Sequence, residues 1–439
     1  MPDTKTDGAP TTALSQREDL LYRKVAWRLL PFMMVCYVAA FVDRVNIGFA
    51  KLQMLHDLHF SEAIYGLGAG LFFIGYFIFE VPSNLLMHRI GAKATISRIM
   101  LAWGVISACF MFVHTTTQFY ALRFLLGAAE AGFFPGMILY LTYWFPSYRR
   151  AKMVALFHAS IPISGIISGP LSGWIMNSLN GVHGLTNWQW LFVIESIPSL
   201  VLGVAVIFYL DDGVQHVRWL TPEEKGIIVH VIAEDNKNKF GQAAGSLRKV
   251  FSDPRMLLLI ALGFCQAMGQ YSISFWLPTL IKQSGVSNSL HIGLLSTIPF
   301  ITAICCQVIV SRSSDKRLER RWHLIIPFCC GGIGVIVSAL FSTNTALAMC
   351  ALTFATAGCL TVSALFWNLP AAFMVGVGAA AGIALVNCCT NLAGFVSPYI
   401  FGLVKDATQS TNNAMYVLGG VLFIGAILTY TIPAKIVNR

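Results

Sequence analysis

Residues 26–47 read AWRLLPFMMVCYVAAFVDRVNI, an almost uninterrupted apolar stretch that decides the fold. It has the length of about 20 residues that a helix needs to cross the hydrocarbon core of a bilayer. Comparable stretches recur along most of the 439-residue chain, which is 56% hydrophobic and 11% charged. A soluble domain carries about 25% charged residues, so this chain has too few to cover a surface that faces water. The sequence therefore predicts an all-α membrane protein with many spans.

Twelve transmembrane helices are predicted, six on each side of a long polar segment. They cover residues 26–47, 63–86, 97–114, 119–144, 153–176, 190–210, 256–281, 292–311, 324–342, 346–368, 379–404 and 414–433. The polar segment contains TPEE from Thr221, a helix start with proline in the first turn. The predicted organisation is a tail (1–24), a six-helix bundle (25–210), a central loop (211–255), a second six-helix bundle (256–433) and a short tail (434–439).

The two bundles are weakly similar in sequence. GLGAG from Gly66 leads to HRIGAK, and GLLST from Gly293 leads to DKRLER at the same offset of 227 residues. Later, GPLSG in the fifth span has a counterpart in GFVSPYIFG in the eleventh. Two duplicated halves with a substrate site between them near mid-membrane are a transporter architecture. The sequence thus predicts two pseudo-symmetric halves.

Basic residues are concentrated in the loops that follow even-numbered spans, such as HRIGAK from His88 and RSSDKRLERRWH from Arg312. The loops HTTTQ from His114 and STNTA from Ser342, on the other side, contain no Lys or Arg. Because Lys and Arg are retained on the cytoplasmic side, both termini and the central loop are predicted to be cytoplasmic. The same placement accounts for the net charge of +10 and argues against a nucleic-acid partner.

Cysteine and histidine spacing gives no sign of a metal or catalytic site. Most of the eleven cysteines lie within apolar stretches, and none has CxxC or Cys/His spacing. GVGAAA from Gly376 resembles a dinucleotide loop, but its context is helical and no strand precedes it. We therefore expect neither an enzyme nor a cofactor.

Ionisable residues inside the predicted spans occur in the first half: Asp43, Arg44, Glu80, Arg123, Glu130 and, near the start of the sixth span, Glu195. Such a group costs at least about 2.5 kcal/mol on insertion scales, so those retained usually face an interior cavity and function there. We expect Glu80 to have a structural or gating role, with proton transfer as the alternative. Glu195 is expected to be structural.

Four of these residues are predicted to reach one cavity. Asp43 and Arg44 lie near the outer end of the first span, and Arg123 lies at a comparable depth in the fourth. Glu130 follows Arg123 by seven residues, about 10 Å along nearly the same helix face. Arginine suits a substrate carboxylate because it stays charged and binds both oxygens. A carboxylate suits proton uptake because burial favours its neutral form and a neighbouring arginine its charged form. The alternative is that these are structural pairs that hold helices together.

Polar and aromatic side chains of the second half are candidates for the remainder of a pocket. They are Gln266, Gln270, Tyr271, Trp276, Trp367, Asn387 and Asn391, and Tyr76 of the second span is a further candidate substrate-binding residue. His158 either faces the same cavity or packs between helices, and packing is the preferred interpretation. The abundance of Phe and Trp slightly favours an aromatic acid as substrate.

Several long stretches resemble the anion:cation symporter branch of the major facilitator superfamily. They include FVDRVNIGFAKLQM from Phe41, RFLLGAAEAGFFPGMILYLTYWFP from Arg123 and AAAGIALVNCCTNLAGFVSPYIFGLVKDAT from Ala379. Within the branch the chain is similar to bacterial permeases for 4-hydroxyphenylacetate, tartrate and sugar acids such as rhamnonate. The resemblance implies two six-helix bundles that rock about a central site and import an organic anion with protons.

By this resemblance, the Asp–Arg pair on the first helix of the family falls on Asp43 and Arg44. The Arg and Glu on its fourth helix fall on Arg123 and Glu130. The resemblance implies that Arg44 or Arg123 binds the substrate carboxylate, and that Asp43 and Glu130 carry protons.

The sequence therefore predicts a proton-coupled importer of a small carboxylate in the bacterial cytoplasmic (inner) membrane. It is expected to act as a monomer, with the proton gradient as its energy source. One alternative is an organic-anion exchanger or uniporter without proton coupling. Another is a non-transporting membrane receptor, which would need an output domain.

Overall fold

The computed structural model describes residues 9–240, 254–367, 369 and 377–434, and these form helices joined by short turns. Residues 1–8, 241–253 and 435–439, which belong to the predicted tails and central loop, lie outside the described residues. Spans 1–6 are Ala9–Val45 with Ile47–Asp57, Glu62–Ile90, Ala92–Cys109, Thr116–Glu130 with Phe133–Thr142, Ser147–His158 with Ser160–Ser178, and Asn187–Tyr209. Spans 7–12 are Pro254–Gln283, Ser289–Arg317, Arg321–Leu340, Thr345–Phe366, Val377–Thr408 and Thr411–Thr431.

Each predicted span coincides with a helix, which confirms the predicted fold class. Eleven helical segments of the described chain are long and apolar enough to cross a membrane. Span 11, Val377–Thr408, packs along spans 2, 7 and 12. Helices are the expected outcome, because a backbone in hydrocarbon must satisfy its hydrogen bonds within its own segment.

The helix predicted from TPEE is present as the connecting helix, Pro222–Phe240. Its start is a reciprocal cap. The N–H of Glu224 donates to Thr221 Oγ1 at 3.2 Å, and the N–H of Thr221 donates to Glu224 Oε2 at 2.9 Å. Lys24 of span 1 also donates to Glu224, at 2.8 Å. The connecting helix is therefore attached to the first half.

Span 4 is broken where the sequence predicts one continuous helix. Its first part ends at Glu130, and the second begins at Phe133 after Gly132, whose φ is 86°. A side chain at Gly132 would also meet Ser83, since a Cβ there would lie 2.5 Å from the Ser83 Oγ. Glycine satisfies both requirements. Arg123 and Glu130 still share the first part, so the predicted seven-residue spacing applies to them.

The two halves meet most extensively along two helix pairs, span 2 with span 11 and span 5 with span 8. The backbones touch directly in the second pair, because a Cβ on Gly293 would lie 2.1 Å from the carbonyl oxygen of Gly169. Small residues permit this close approach between membrane helices. The series of glycines in span 5 therefore serves contact between the halves.

One end of the molecule, which we call the closed end, carries the turns after spans 1, 7 and 11. There Lys405 of span 11 pairs with Glu62, the first residue of span 2. Asp406 accepts the backbone N–H of Glu62 at 3.3 Å and of Ala63 at 2.7 Å. A carboxylate at a helix N-terminus satisfies free N–H groups and interacts favourably with the helix dipole. The second half therefore caps a helix of the first.

Lys51 completes this contact from span 1. Its Nζ lies 2.6 Å from Glu62 Oε2 and 3.2 Å from the centre of the Trp276 ring, and the residue is only 4% exposed. An ammonium group over an indole face is a cation–π contact. We call Lys51, Glu62, Trp276, Lys405 and Asp406 the closed-end network.

At the opposite end, the two halves are joined by fewer polar contacts of the described residues. Towards this end, Glu80 of span 2 makes the contacts between the halves. Asn387 of span 11 donates to Glu80 Oε1 at 3.0 Å, and the Cys388 thiol lies 3.9 Å from Oε2. The interface between the halves is thus tightly closed at one end and joined by a small polar contact towards the other.

Candidate functional site

A cavity lies between the two halves near the middle of the helices. From the first half it is lined by Tyr37, Phe41, Arg44, Phe73, Tyr76, Phe134, His158 and Ile161. From the second half it is lined by Gln266, Ala267, Gln270, Tyr271, Ser363, Trp367, Asn387, Thr390 and Asn391. Aromatic rings and amides dominate, and Arg44 is the one fixed charge among the described residues of this lining. Such a cavity suits a small anion that also carries hydrogen-bonding groups.

Arg44 is held in place by one carboxylate and several rings. Its Nη2 pairs with Glu130, and its Cζ lies 5.1 Å from the centre of the Phe72 ring and 5.6 Å from that of Tyr76. Its Nε has no hydrogen-bond partner. The guanidinium is therefore fixed in position at the cavity wall and retains a free donor.

Arg123 is placed differently from Arg44. It is fully buried, with Nε donating to the Gly68 carbonyl at 3.2 Å and Nη2 to the Ala69 carbonyl at 3.4 Å. These contacts hold span 4 against span 2. Its Nη1 has no hydrogen-bond partner, but the side chain is not part of the cavity lining. Of the two arginines, Arg44 is the one that the structure brings to the cavity.

Asp43 points into the first half, away from the cavity lining. Its carboxylate accepts hydrogen bonds from Trp103 Nε1 at 3.2 Å, from Ser107 Oγ at 2.9 Å and from Ser199 Oγ. These donors lie on spans 3 and 6. Neighbouring residues of one helix face different directions, so Asp43 and Arg44 do not share a partner.

The candidate residues of the second half lie together on the far wall. The Tyr271 hydroxyl is 3.5 Å from Asn391 Oδ1, and Ser363 donates to Gln270 Oε1 at 2.7 Å. Gln266 is 3% exposed, and its Oε1 has no hydrogen-bond partner. An unpaired buried acceptor beside a cavity fits a substrate that brings a donor.

Three further residues are placed as follows. His158 lines the cavity next to Phe134, with 6.2 Å between the ring centres. Trp276 lies in the closed-end network and not in the cavity, stacked on Phe401 with 4.0 Å between the ring centres. Glu80 lies next to the cavity and bonds to one lining residue, Asn387.

Sequence reasoning missed the closed-end network. Lys51 stands in the apolar stretch NIGFAKLQM, and a lysine in such a context was a signal of a buried cation. Its partners come from positions as distant as Lys405 and Asp406, which helical periodicity does not connect.

Comparison with known proteins decides the family. The profile of the Major Facilitator Superfamily matches residues 33–398. The chain belongs to the major facilitator superfamily. It is therefore a multi-pass membrane transporter and not an enzyme. It is 47% identical to NicT, a candidate metabolite transport protein of Pseudomonas putida, over 95% of this chain and 96% of that one. It is 43% identical to a candidate tartrate transporter of Agrobacterium vitis, over 97% of this chain and 93% of that one.

Among solved structures, the chain is similar to the xylose transporter XylE from E. coli in a partially occluded inward open conformation. The TM-score is 0.73 at 14% sequence identity, over 93% of this chain and 98% of that one. At this identity the likeness concerns the fold, two six-helix bundles around a central cavity.

Proposed function

We propose that this transporter imports a small organic carboxylate together with protons. The observation that carries the proposal is the buried pair of Arg44 and Glu130 at the wall of the cavity. Arg44 is a fixed cation that an incoming carboxylate can reach, and its existing partner is a group that can accept a proton. Binding of the anion and binding of the proton are then linked through one guanidinium.

The linkage has a simple electrostatic basis. An incoming carboxylate on Arg44 stands beside Glu130, and two ionised carboxylates on one arginine repel each other. Protonation of Glu130 removes this repulsion and frees Arg44 for the substrate. The coupling is reciprocal, so a bound anion also favours protonation of Glu130. A carrier built in this way takes up the anion and the proton together.

The pattern of contacts between the halves supports alternating access. The closed-end network seals the end that the loop charges assign to the outside, whereas the other end is joined through Glu80 and Asn387. We assign the structure to a state that is closed towards the outside. Opening to the outside requires the pairing of Lys405 with Glu62 to break and the opposite end of the interface, around Glu80, to close.

The substrate class is proposed from the lining and from relatives. A carboxylate on Arg44 leaves its remaining part facing Gln266, Gln270 and Asn391, whose amides can bind hydroxyl groups. The relative described as a candidate tartrate transporter of Agrobacterium vitis agrees with a hydroxylated acid. The aromatic rings Tyr271 and Trp367 also permit a hydroxy-aromatic acid.

Uptake into proteoliposomes tests the proposal. Purified protein is reconstituted and given tartrate or 4-hydroxyphenylacetate, chosen by a prior thermal-shift screen, with an imposed proton gradient. We expect accumulation that requires the gradient and collapses with a protonophore. Uptake that only equilibrates, or that exchanges anions without responding to the proton gradient, would instead identify an exchanger or uniporter.

A further inference from the structure

Glu195 of span 6 is a buried carboxyl that the proposed transport site does not use. It is 1% exposed, and Ser172 of span 5 donates to its Oε1 at 2.5 Å. Its Oε2 has no hydrogen-bond partner by distance and angle within the part of the chain that the structure describes. The fully buried amide of Asn46 lies beside the same carboxyl, and its Oδ1 has no hydrogen-bond partner among the described residues.

The charges around Glu195 do not stabilise an anion. Within the described ranges no Lys, Arg or His forms an ion pair with it, and the ionisable group that faces it, from span 1, is the carboxyl of Asp43. Span 5 contributes the Ser172 hydroxyl. By contrast, Glu130 has Arg44, and Asp43 has three hydrogen-bond donors. An isolated buried carboxylate becomes neutral instead of bearing the cost of desolvation.

The neutral form of Glu195 also provides a hydrogen-bond donor for its buried neighbour Asn46. A protonated Glu195 still accepts from Ser172 through its carbonyl oxygen, and its O–H becomes a donor. The buried Oδ1 of Asn46 is an acceptor that has no donor. Protonation therefore supplies the partner that this pair of side chains lacks.

Glu195 is also positioned to communicate with the transport site. Ser199, which donates to Asp43, lies one helical turn after Glu195 and on the same helix face. Asp43 is in turn the chain neighbour of Arg44. A change in the charge of Glu195 thus acts on Asp43 directly and through its hydrogen-bonded serine.

We propose that Glu195 is a second proton-carrying group, which is protonated in this outside-closed conformation and releases its proton to the cytoplasmic side before the empty transporter reorients. The proton comes from water on the outside, binds to Oε2 in the outward-open state, and leaves to water on the cytoplasmic side with the carboxylate regenerated. The inference rests on the proposed function, because it adds one proton to that cycle. It assigns Glu195 a role in transport, where the sequence predicts a structural role.

Infrared difference spectroscopy tests the protonation without any transport. Spectra of the purified full-length protein in H2O and D2O are compared for wild type, Glu195→Gln and the control Glu234→Gln, whose side chain is 63% exposed. We expect a carbonyl stretch of a protonated carboxylic acid that is lost in Glu195→Gln and kept in the control. An unchanged band in Glu195→Gln would overturn the proposal.

Ser172→Ala is a second variant in case Glu195→Gln does not fold. It leaves the acid in place and removes the hydrogen bond that Ser172 donates to Glu195. The carbonyl stretch is then expected to shift to higher frequency, because a carbonyl bond is stronger without a hydrogen bond. A band that does not move would show that it belongs to another group, against the proposal.

Equilibrium accumulation of the anion in proteoliposomes tests whether Glu195 carries a proton across the membrane. Under a tenfold proton gradient without a membrane potential, each coupled proton contributes about a factor of ten to the accumulation ratio. We expect Glu195→Gln to accumulate about tenfold less than wild type and Glu234→Gln to match wild type. If wild type accumulates and Glu195→Gln equals it, this inference fails alone. If wild type shows no response to the gradient, the proposed function fails.

Discussion

Glu130→Gln replaces the titratable partner of Arg44 with an amide side chain of the same shape. Glutamine still offers an oxygen to Arg44 Nη2, so the position of the guanidinium is expected to persist. The amide bears no charge and cannot carry a proton. This variant therefore separates the binding of the anion from its coupling to protons.

The magnitude follows from the geometry of the shared arginine. Two unit charges about 4 Å apart interact by about 4 kcal/mol at an effective dielectric constant of 20. An anion bound to Arg44 beside ionised Glu130 experiences a repulsion of this order. Measured coupling energies are generally smaller, about 1–3 kcal/mol. We therefore expect ionised Glu130 to weaken anion binding by a factor of about ten to one hundred.

Two measurements check this expectation. Titration of the purified protein with its anion, followed by thermal shift, should give a Kd for wild type that rises by that factor from acidic to alkaline pH. The Kd of Glu130→Gln should stay near the acidic value at every pH. In proteoliposomes, the variant should retain counterflow of the anion and lose the factor of about ten that one coupled proton contributes to accumulation under a tenfold proton gradient.

Unchanged accumulation in Glu130→Gln would refute the reasoning, because a glutamine cannot cycle a proton. The reasoning would also be refuted if the Kd of the variant changed with pH as steeply as the Kd of wild type, because the coupling would then belong to another group. Glu234→Gln is the matched control, since its side chain is 63% exposed and pairs with His230 outside the proposed site.

Three other outcomes are expected. Arg44→Lys should weaken anion binding at least about tenfold, because lysine cannot form two parallel bonds to a carboxylate; a Kd titration checks this. Asp406→Ala should destabilise the protein by about 1 kcal/mol, since it removes the cap of span 2, whereas Asp406→Asn, which keeps an acceptor, should lower the unfolding temperature less. Hydrogen bonds from Lys24 hold the pKa of Glu224 below its ordinary value. This pair therefore stabilises the folded protein at neutral pH, and the stabilisation is lost as pH falls through the lowered pKa. The small difference in unfolding temperature between wild type and Glu224→Gln should vanish in acid.

The positions of the spans follow from the sequence because hydrocarbon imposes a strong and local constraint. Apolar stretches of the required length are helices in the structure, and TPEE starts a helix where its capping residues predict one. The observed helices exceed the apolar stretches at their ends, where polar caps such as Asn288 belong to the helix but not to the hydrophobic core. The break at Gly132 depends on a neighbouring helix and is not visible in hydropathy.

The candidate site was only partly accessible from the sequence. Periodicity places Arg123 and Glu130 on one helix, and both are buried there. It does not fix the rotation of that helix against its neighbours, which turns Arg123 to the carbonyls of span 2. For the same reason the sequence groups Asp43 with Arg44, whereas the structure directs them to different partners.

The sequence by itself determined that this chain is a membrane protein of twelve helices, and it identified the ionisable residues that hydrocarbon makes costly. Those conclusions depend on the composition of single segments. Only the tertiary structure decided that Arg44 shares the cavity with Tyr271 and Asn391, that Lys51 and Glu62 meet Lys405, and that no basic residue of the described ranges pairs with Glu195. Each of these facts is a contact between segments far apart in the chain, and its energy depends on which atoms packing brings within a few ångströms.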